Sequence, residues 1–226
     1  MTTTLNRLAR LPPAVSRWLG YRASPPPPLP QYLIYIWSFL GAFCGLTTVQ
    51  VIFDYSSYFQ ARHVPVIVAS YGASAVLIYG TPELPLAQPR ALVGGHFLSA
   101  LVGVCITKLF SLMPSSSRFE SLRWLSASLS TAVAIVVMQI TKTVHPPAGA
   151  SALLPAIDDQ IWNLSWYYLP IVLLSSALIL AVGLVVNNIQ RRYPVFWIAA
   201  DAPKPASAPS KSESSDLEAN SSSTSD

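Results

Sequence analysis

The segment HPPAGAS at residues 145–151 combines a histidine with two consecutive prolines and a run of small residues. Proline disfavours helix at the residue before it, yet it is well placed in the first turn of a new helix. One helix should therefore end before His145, and another should begin near Pro146 or Pro147. The small residues allow another backbone to approach closely. The candidate site residues in this segment are His145, Pro146, Pro147, Gly149 and Ser151.

A helix that begins inside a membrane is a natural site for a small anion. Its first N–H groups are unpaired, and they carry a partial positive charge. Lys142 and His145 lie beside the predicted helix start, and both can donate hydrogen bonds to an anion. Ionisable residues inside membranes are costly and usually functional, so we predict that both bind substrate. Two alternatives stay open: His145 hydrogen-bonds a carbonyl at a kink, and Lys142 extends to the membrane interface.

A second segment resembles the first. The hexapeptide GASAVL at 72–77 returns as GASALL at 149–154, identical at five of six positions. Each copy lies between two longer apolar stretches, which predicts an internal repeat of helix, broken segment and helix. In transporters with such repeats, the broken segments meet near the membrane midplane and form the site. We therefore add Gly72 and Ser74 to the candidate site, while chance recurrence of small residues stays the alternative.

The stretch that follows the first copy contributes two further candidates, Arg90 and His96. Arg90 should lie at a helix N-terminus, where its charge is unfavourable unless an anion or Glu83 is close. His96 faces a seam formed by Gly95, Ser99 and Gly103. It is either a packing residue or part of a transport pathway.

Four stretches are apolar and long enough to cross a bilayer core, which needs about 20 residues. They are residues 33–53, 91–113, 122–144 and 166–187. We predict an all-α, polytopic transmembrane bundle of four long spanning helices, with two broken or re-entrant segments at 64–80 and 145–157. If both segments cross instead, six spans result and the halves form an inverted pair. We rank that arrangement second, because it moves Arg118 and Arg123 away from the side of the basic N-terminus.

Composition divides the chain of 226 residues into three regions. Residues 1–31 form a basic arm with a possible interfacial helix, residues 32–190 form the transmembrane domain, and residues 191–226 form a polar, Ser-rich, disordered tail. Only 11% of the residues are charged, against roughly 25% in soluble domains, which argues against an ordinary soluble enzyme. Positive charge near both ends predicts that both termini lie on one side, cytoplasmic or matrix.

Enzyme chemistry finds little support in the sequence. The three histidines, His63, His96 and His145, are too scattered for a local metal motif, and no nucleophile elbow or phosphate loop occurs. The central acids are expected in loops: Asp54, Glu83, Glu120, Asp158 and Asp159. Cys44 and Cys105 are expected to be buried free thiols. We therefore expect no cofactor.

Three strings together resemble the HPP family of integral membrane proteins. They are VHPPAGASALL (144–154), YGASAVLIYG (71–80) and PLAQPRALVGGHFLSALVG (85–103), and the resemblance covers about residues 32–190. It implies four transmembrane helices, with the signature at His145, Pro146 and Pro147. Plant and cyanobacterial members are associated with nitrite transport, so the resemblance implies that nitrite moves through this protein.

These observations favour a transporter or channel for a small inorganic anion, with nitrite as the expected substrate. Expected partners are the anion and the lipid bilayer. A homo-oligomer is left open, with the Gly41/Gly45 face or the Gly95/Ser99/Gly103 face as its contact. No nucleic acid is expected, because no basic stripe with interleaved aromatic residues occurs. The alternatives are a structural or assembly protein without transport and, less favoured, a membrane-bound enzyme.

Overall fold

The computed structural model describes residues 8–24, 26–66 and 68–198, and within these ranges the chain is helical without β-strands. The helices are α1 (Pro13–Trp18), α2 (Gln31–Tyr55), α3 (Ser57–Gln60), α4 (Ser70–Ala75), α5 (Gly95–Ser111), α6 (Ser116–Thr141), α7 (Ala148–Ile157), α8 (Asp159–Leu164) and α9 (Tyr168–Gln190). A π-helical turn at Val76–Gly80 extends α4, and another at Arg90–Gly94 precedes α5. Short 3-10 turns lie at Pro85–Ala87 and Ser165–Tyr167.

Four helical stretches among the described residues are long and apolar enough to cross a membrane. They are Gln31–Tyr55, Arg90–Ser111, Ser116–Thr141 and Asp159–Gln190, with mean hydropathy of 1.6 to 2.7. A helix satisfies its own backbone hydrogen bonds, which is why such stretches are stable in lipid. The predicted all-α bundle with four long helices is confirmed.

The apolar helix α2 has one buried face and one exposed face. Gly41, Gly45, Val49 and Phe53 recur every fourth residue and are buried. The aromatic side chains of Tyr35, Phe39 and Phe43 on the other side are all more than 60% exposed. In a membrane protein this aromatic face is the one that contacts lipid. Cys44 is exposed too, so the expectation that it is buried is wrong.

The first broken segment does not turn back. At its end, the Tyr79 carbonyl accepts hydrogen bonds from Ser38 Oγ (3.0 Å) and Arg191 Nη1 (2.9 Å). Ser38 lies near the start of α2, and Arg191 follows the end of α9. At the other end, Tyr71 Oη donates to the Val172 carbonyl (2.6 Å), close to the start of α9. The segment therefore runs between the two ends of the bundle.

The second broken segment runs the other way. Gly95, at the start of α5, packs so closely on the turn before α7 that a Cβ there would lie 2.8 Å from His145 Cβ. At the far end of α7, Arg123 Nε donates to the Ala156 carbonyl (2.6 Å). Helix α7 thus leads away from the end where α6 finishes and α5 starts. Within the described residues both broken segments run from one end of the bundle towards the other, as in the six-span arrangement that we ranked second. Four helical stretches are long enough to span a membrane, and the choice between four and six crossings stays a prediction. The internal repeat itself stays a prediction.

The charges agree with this arrangement once their partners are known. We call the end where α2 begins and α9 finishes the basic end. Its described cations are Arg10, Arg17, Arg22, Arg90, Lys142, Arg191 and Arg192, against Glu83 alone. At the opposite end, Arg123 pairs with Glu120 (3.1 Å) and Asp159 (2.7 Å). Of the two arginines that argued against six spans, Arg123 is therefore neutralised locally.

Arg191 does more than the orientation role that the sequence indicated. Its guanidinium donates to the Ile34 carbonyl (2.6 Å) as well as to Tyr79, and Asn187 Nδ2 donates to the Ile78 carbonyl (2.8 Å). No helical turn follows the π-helical turn to satisfy the carbonyls of Ile78 and Tyr79. Unpaired carbonyls are costly away from water, so Arg191 and Asn187 stabilise the end of the broken segment.

The chain on both sides of the transmembrane domain packs on the basic end. Arg17 Nη2 donates to the Ile189 carbonyl (2.9 Å), and Trp197 Nε1 donates to the Leu19 carbonyl (3.1 Å). Partial burial, with Arg17 and Arg192 nearby, lowers the pKa of Arg22. Residues 191–198 are thus ordered, not part of a disordered tail as predicted. Residues 1–7 and 199–226 lie outside the described residues.

Both glycine seams are occupied within the chain. A Cβ on Gly41 would lie 2.6 Å from Tyr79 Cδ1, and one on Gly45 would overlap the Tyr79 hydroxyl. On α5, Gly95 and Gly103 pack against His145 and Ala152. Neither seam is free to contact a second copy, as the sequence had suggested. A homo-oligomer through another surface stays a prediction.

Six passes predict which loops share a side of the membrane. In a chain with Cys44 and Cys105 replaced by alanine, Ser24→Cys, Glu83→Cys and Ser117→Cys each give one exposed thiol. In sealed vesicles, a membrane-impermeant maleimide should label positions 24 and 83 from one side and position 117 from the other. Labelling of positions 24 and 117 from one side and of position 83 from the other would instead support a re-entrant segment.

The contact between α2 and Tyr79 predicts a stability loss in Gly45→Ala. The added methyl group overlaps the Tyr79 ring, which cannot move freely because its hydroxyl donates to the Ile179 carbonyl (3.0 Å). Overpacking of this kind costs about 1–3 kcal/mol. Thermal unfolding in detergent measures the loss, with Cys44→Ala on the exposed side as the matched control. Equal unfolding temperatures for the two variants would contradict the packing.

Candidate functional site

Four predicted site residues meet in the interior of the bundle. His96, His145, Ser74 and Ser151 all have 0% exposed area. Ser74 Oγ lies 2.9 Å from His145 Nε2 and 2.8 Å from His96 Nε2. Ser151 Oγ lies 2.8 Å from His96 Nδ1. The sequence therefore identified most of a continuous hydrogen-bonded group.

The two broken segments place the serines. Ser74 and Ser151 are the third residues of the two GAS hexapeptides, on α4 and α7. They hydrogen-bond to opposite nitrogens of one ring, that of His96 on α5. The two segments thus meet at a shared histidine, as broken segments do in transporter sites. Gly95 makes room for the second ring, because any side chain there would collide with His145.

Sequence reasoning missed three residues of this site. Ser70 Oγ lies 3.1 Å from Ser151 Oγ, the Tyr71 ring stacks on His96 at 4.5 Å between centroids, and Tyr168 Oη donates to the Ser151 carbonyl (3.4 Å). Ser70 and Tyr71 immediately precede the first hexapeptide, so their position was a usable signal. Tyr168 carried none, because it comes from a distant helix. We call His145, Ser74, His96, Ser151 and Ser70 the histidine–serine cluster.

The partners of His145 fix its protonated nitrogen. His145 Nδ1 lies 2.8 Å from the Leu86 carbonyl oxygen. A carbonyl only accepts, so Nδ1 carries the hydrogen and Nε2 of the neutral ring accepts. The Ser74 hydroxyl supplies that donor. The Ser70 carbonyl, 3.2 Å from Ser74 Oγ, is the weaker acceptor, because bonding to it would leave His145 Nε2 without a donor.

The remaining hydrogens follow from that assignment. Ser74 has one hydroxyl hydrogen, so His96 Nε2 must donate to Ser74 Oγ. His96 Nδ1 then accepts from Ser151, which accepts from Ser70. The rings are 5.0 Å apart, and no carboxylate of the described chain bonds to either, which favours two neutral imidazoles. Every donor thus points the same way, from Ser70 towards Leu86.

Arg90 and Lys142 lie together outside the interior. They line a cavity of about 510 Å³ at the basic end, with Leu86, Gln139 and Val144 among the other lining residues. Leu86 joins the two places, because its carbonyl is the acceptor of His145. Lys142 is exposed and ends α6 in a left-handed conformation, with φ of 56°.

Arg90 has a different partner from the one predicted. Its guanidinium donates to the carbonyls of Thr141 (2.6 Å) and Ile198 (2.9 Å). Carbonyls at a helix C-terminus are unpaired and partly negative. The Thr141 and Ile198 carbonyls, and not Glu83, are therefore the partners of Arg90 in the described chain, and an anion beside Arg90 stays a prediction.

The predicted anion site on unpaired N–H groups of α7 is also wrong. The amides of Ala148, Gly149 and Ala150 donate to the carbonyls three residues earlier, at 2.9 to 3.2 Å. Pro146 and Pro147 have no N–H to offer. A tight first turn therefore consumes the donors. Of the remaining candidates, Pro147 is buried, Pro146 is exposed, and Gly72 and Gly149 are half-buried.

The site offers hydrogen-bond donors and imidazole rings, not a metal centre. No group of three or more His, Cys, Asp or Glu residues in the described part of the chain is arranged to hold a metal ion. Imidazole N–H and hydroxyl groups can bind an anion, and imidazole can also pass a proton from one nitrogen to the other.

Comparison with known proteins identifies a membrane-protein family and two relatives. The family model described as "HPP, transmembrane region" matches residues 27–194. A transmembrane protein of Dictyostelium discoideum is 38% identical over 185 residues, 80% of this chain and 62% of that protein. A second from the same organism is 38% identical over 165 residues, 71% of this chain and 50% of that protein. The chain therefore spans less than two thirds of either relative. No solved structure matches.

The family match covers α2 to α9 and the whole histidine–serine cluster. Together with the four apolar helices, it makes this a multi-pass integral membrane protein. The chain belongs to the HPP transmembrane family.

Proposed function

We propose that this protein transports a small inorganic anion across its membrane, and that nitrite is the substrate. One observation carries the proposal: the histidine–serine cluster lies directly behind a basic cavity, and Leu86 belongs to both. Leu86 lines the cavity together with Arg90 and Lys142, and its carbonyl oxygen accepts the hydrogen bond from His145 Nδ1. An anion attracted to the cavity needs only to replace that carbonyl to bind His145.

The distribution of charge supports an anion as the cargo. The residues that line the cavity include two cations and no acid. The cluster behind it consists of hydroxyl and imidazole groups, each an N–H or O–H donor. The nearest acids in sequence, such as Glu83 and Asp158, lie at helix ends or turns. Cation-selective pores use rings of carboxylates, so this composition disfavours a cation.

Nitrite can accept the hydrogen bonds that these donors offer. It is a bent ion of three atoms, with two oxygens that can each accept a hydrogen bond. The HPP resemblance names the same ion for plant and cyanobacterial members, which is why we select it among small anions. The substrate of the longer relatives carries no weight here, since their names give none.

Opening of the site requires the Leu86 loop to move. Gln88 holds this loop: its Nε2 donates to the Pro82 carbonyl (2.9 Å), and its Oε1 accepts from Val195 N (2.8 Å). Tyr193 Oη donates to the Ala87 carbonyl (2.8 Å). The segment after α9 therefore holds the Leu86 loop in the position in which its carbonyl covers His145. We expect these hydrogen bonds to break before an anion binds at His145.

The charge difference between the ends supports an orientation. Positively charged loops remain on the cytoplasmic side of most membrane proteins. We propose that the basic end, and with it both ends of the transmembrane domain, faces the cytoplasm or an organelle matrix.

A structural or assembly role is the second candidate, and one observation favours it. Each ring nitrogen of His96 and His145 already has a hydrogen-bond partner. In that case His145 stabilises the fold, and its replacement lowers stability without a specific effect on flux.

Nitrite uptake into proteoliposomes tests transport. Wild-type protein should raise uptake above that of protein-free vesicles, which corrects for unaided permeation of nitrous acid. His145→Ala should return uptake to that background, because the N–H group that the Leu86 carbonyl covers is gone. His145→Asn, whose amide nitrogen can occupy the place of Nδ1, separates loss of folding from loss of function.

Ser99→Ala is the matched control for this experiment. Ser99 is buried on α5, one turn from His96, and its hydroxyl has no hydrogen-bond partner among the described residues. The variant should fold and take up nitrite as the wild type does. Wild-type uptake equal to that of empty vesicles would contradict the proposed function.

Lys142→Asn should weaken anion capture at the cavity without changing the maximal rate. Asparagine tolerates the left-handed backbone of this position, so the change removes only the charge. We expect the half-saturating nitrite concentration to rise about two- to fivefold, the scale of a lost exposed charge interaction. The difference should fade at high salt, and Lys142→Arg should behave as wild type. An unchanged half-saturating concentration would show that Lys142 does not attract the anion.

A further inference from the structure

We propose that the histidine–serine cluster delivers a proton to the bound anion, so that the protein selects anions of weak acids and holds them in its interior as neutral acids. This inference rests on the proposed function and deepens it. The evidence is the single direction of the hydrogen bonds, which run from Ser70 through Ser151, His96 and Ser74 to His145. A chain of this kind can shift one hydrogen at each link.

The proton balance is simple. A proton from water at the opposite end of the bundle binds Ser70 Oγ, and each group passes its own hydrogen to the next acceptor. His96 receives at Nδ1 and releases from Nε2, whereas His145 receives at Nε2 and releases from Nδ1. The last hydrogen forms an O–H bond on the anion, which becomes its neutral acid. Each protein group ends with as many hydrogens as before, and no electrons are transferred.

The resting structure prevents this transfer without substrate. The acceptor of His145 is then the Leu86 carbonyl (2.8 Å), which takes a hydrogen bond but not a proton. After transfer, His145 Nδ1 carries a lone pair and needs a donor in front of it. The O–H group of the newly formed acid is such a donor, whereas the Leu86 carbonyl is not. The Leu86 loop therefore cannot return to His145 until Nδ1 carries a hydrogen again.

The surroundings of the His96 and His145 rings favour transfer of the proton to the anion over a positively charged imidazole. The aromatic neighbour of His96 is Tyr71, stacked on its face, and Tyr168 bonds to the Ser151 backbone. The other ring nearby is that of His145 itself. No carboxylate or cation of the described chain hydrogen-bonds to either ring, so a charged imidazole would have no compensating partner. A neutral acid also avoids the cost of a bare anion in the apolar interior.

Two pairs of anions test the inference against selection by shape. Azide and thiocyanate are both linear, but only azide is the base of a weak acid. Nitrite and nitrate are both planar oxyanions of nitrogen, and only nitrite is the base of a weak acid. Uptake into proteoliposomes, corrected for protein-free vesicles, should be rapid for azide and nitrite and near background for thiocyanate and nitrate. Equal uptake of azide and thiocyanate would overturn the inference and leave anion transport intact.

A break in the chain of hydrogen bonds provides the second arm. In His96→Gln the amide can still hydrogen-bond to both serines, but it cannot pass a proton. We expect nitrite and azide uptake to fall about 100-fold, the scale of a lost proton-transfer group, while Ser99→Ala keeps wild-type uptake. Ser70→Ala removes the first donor and provides the same test if His96→Gln does not fold. Normal uptake by folded His96→Gln would overturn the proton path, and absence of any anion uptake by the wild type would overturn the proposed function with it.

Discussion

The His96 imidazole hydrogen-bonds to Ser74 through one nitrogen and to Ser151 through the other, at 2.8 Å each. These two serines belong to the two broken segments, so one buried ring joins the two halves of the bundle. Both of its nitrogens are then committed. A ring in this position has to be satisfied by protein, because it has 0% exposed area and an unpaired polar group there would be costly.

Much of the surrounding structure follows from this contact. The two segments meet where Ser74 and Ser151 contact His96, and from there they run in opposite directions through the bundle. Gly95 has to lack a side chain so that His145 can reach the same serine. The far end of the first segment is too short to complete a helix, and Arg191 and Asn187 satisfy the carbonyls that remain. The fold and the proposed function thus depend on the same few hydrogen bonds.

The sequence was informative where apolar length or a rare residue type decided the outcome. The four long helices follow from apolar stretches near bilayer length with few charges, and His96, His145, Ser74 and Ser151 were all singled out from their segments. Hydropathy did not reveal the direction of the broken segments, because a short segment has the same composition whether it runs across the bundle or turns back. Counts of cations alone misled as well, since Arg123 is neutralised by Glu120 on the same helix and by Asp159, which lies farther along the chain.

Backbone partners were beyond sequence reasoning altogether. The acceptor of His145 is the Leu86 carbonyl, and the partners of Arg90 are the carbonyls of Thr141 and Ile198. Any residue type could supply such a carbonyl, so the sequence holds no signal for it. For the glycine seams the sequence did hold a signal, and close packing was predicted correctly. What it did not show is that the partner surface belongs to the same chain and not to a second copy.

The most direct test of the account is nitrogen NMR of the protein with labelled histidines, with and without nitrite. His63, exposed and outside the cluster, serves as the internal reference. The account predicts that His145 carries its hydrogen on Nδ1 and His96 on Nε2. Nitrite should shift the signals of these two rings, and nitrate should not. The opposite tautomers, or His96 and His145 signals that ignore nitrite, would contradict it.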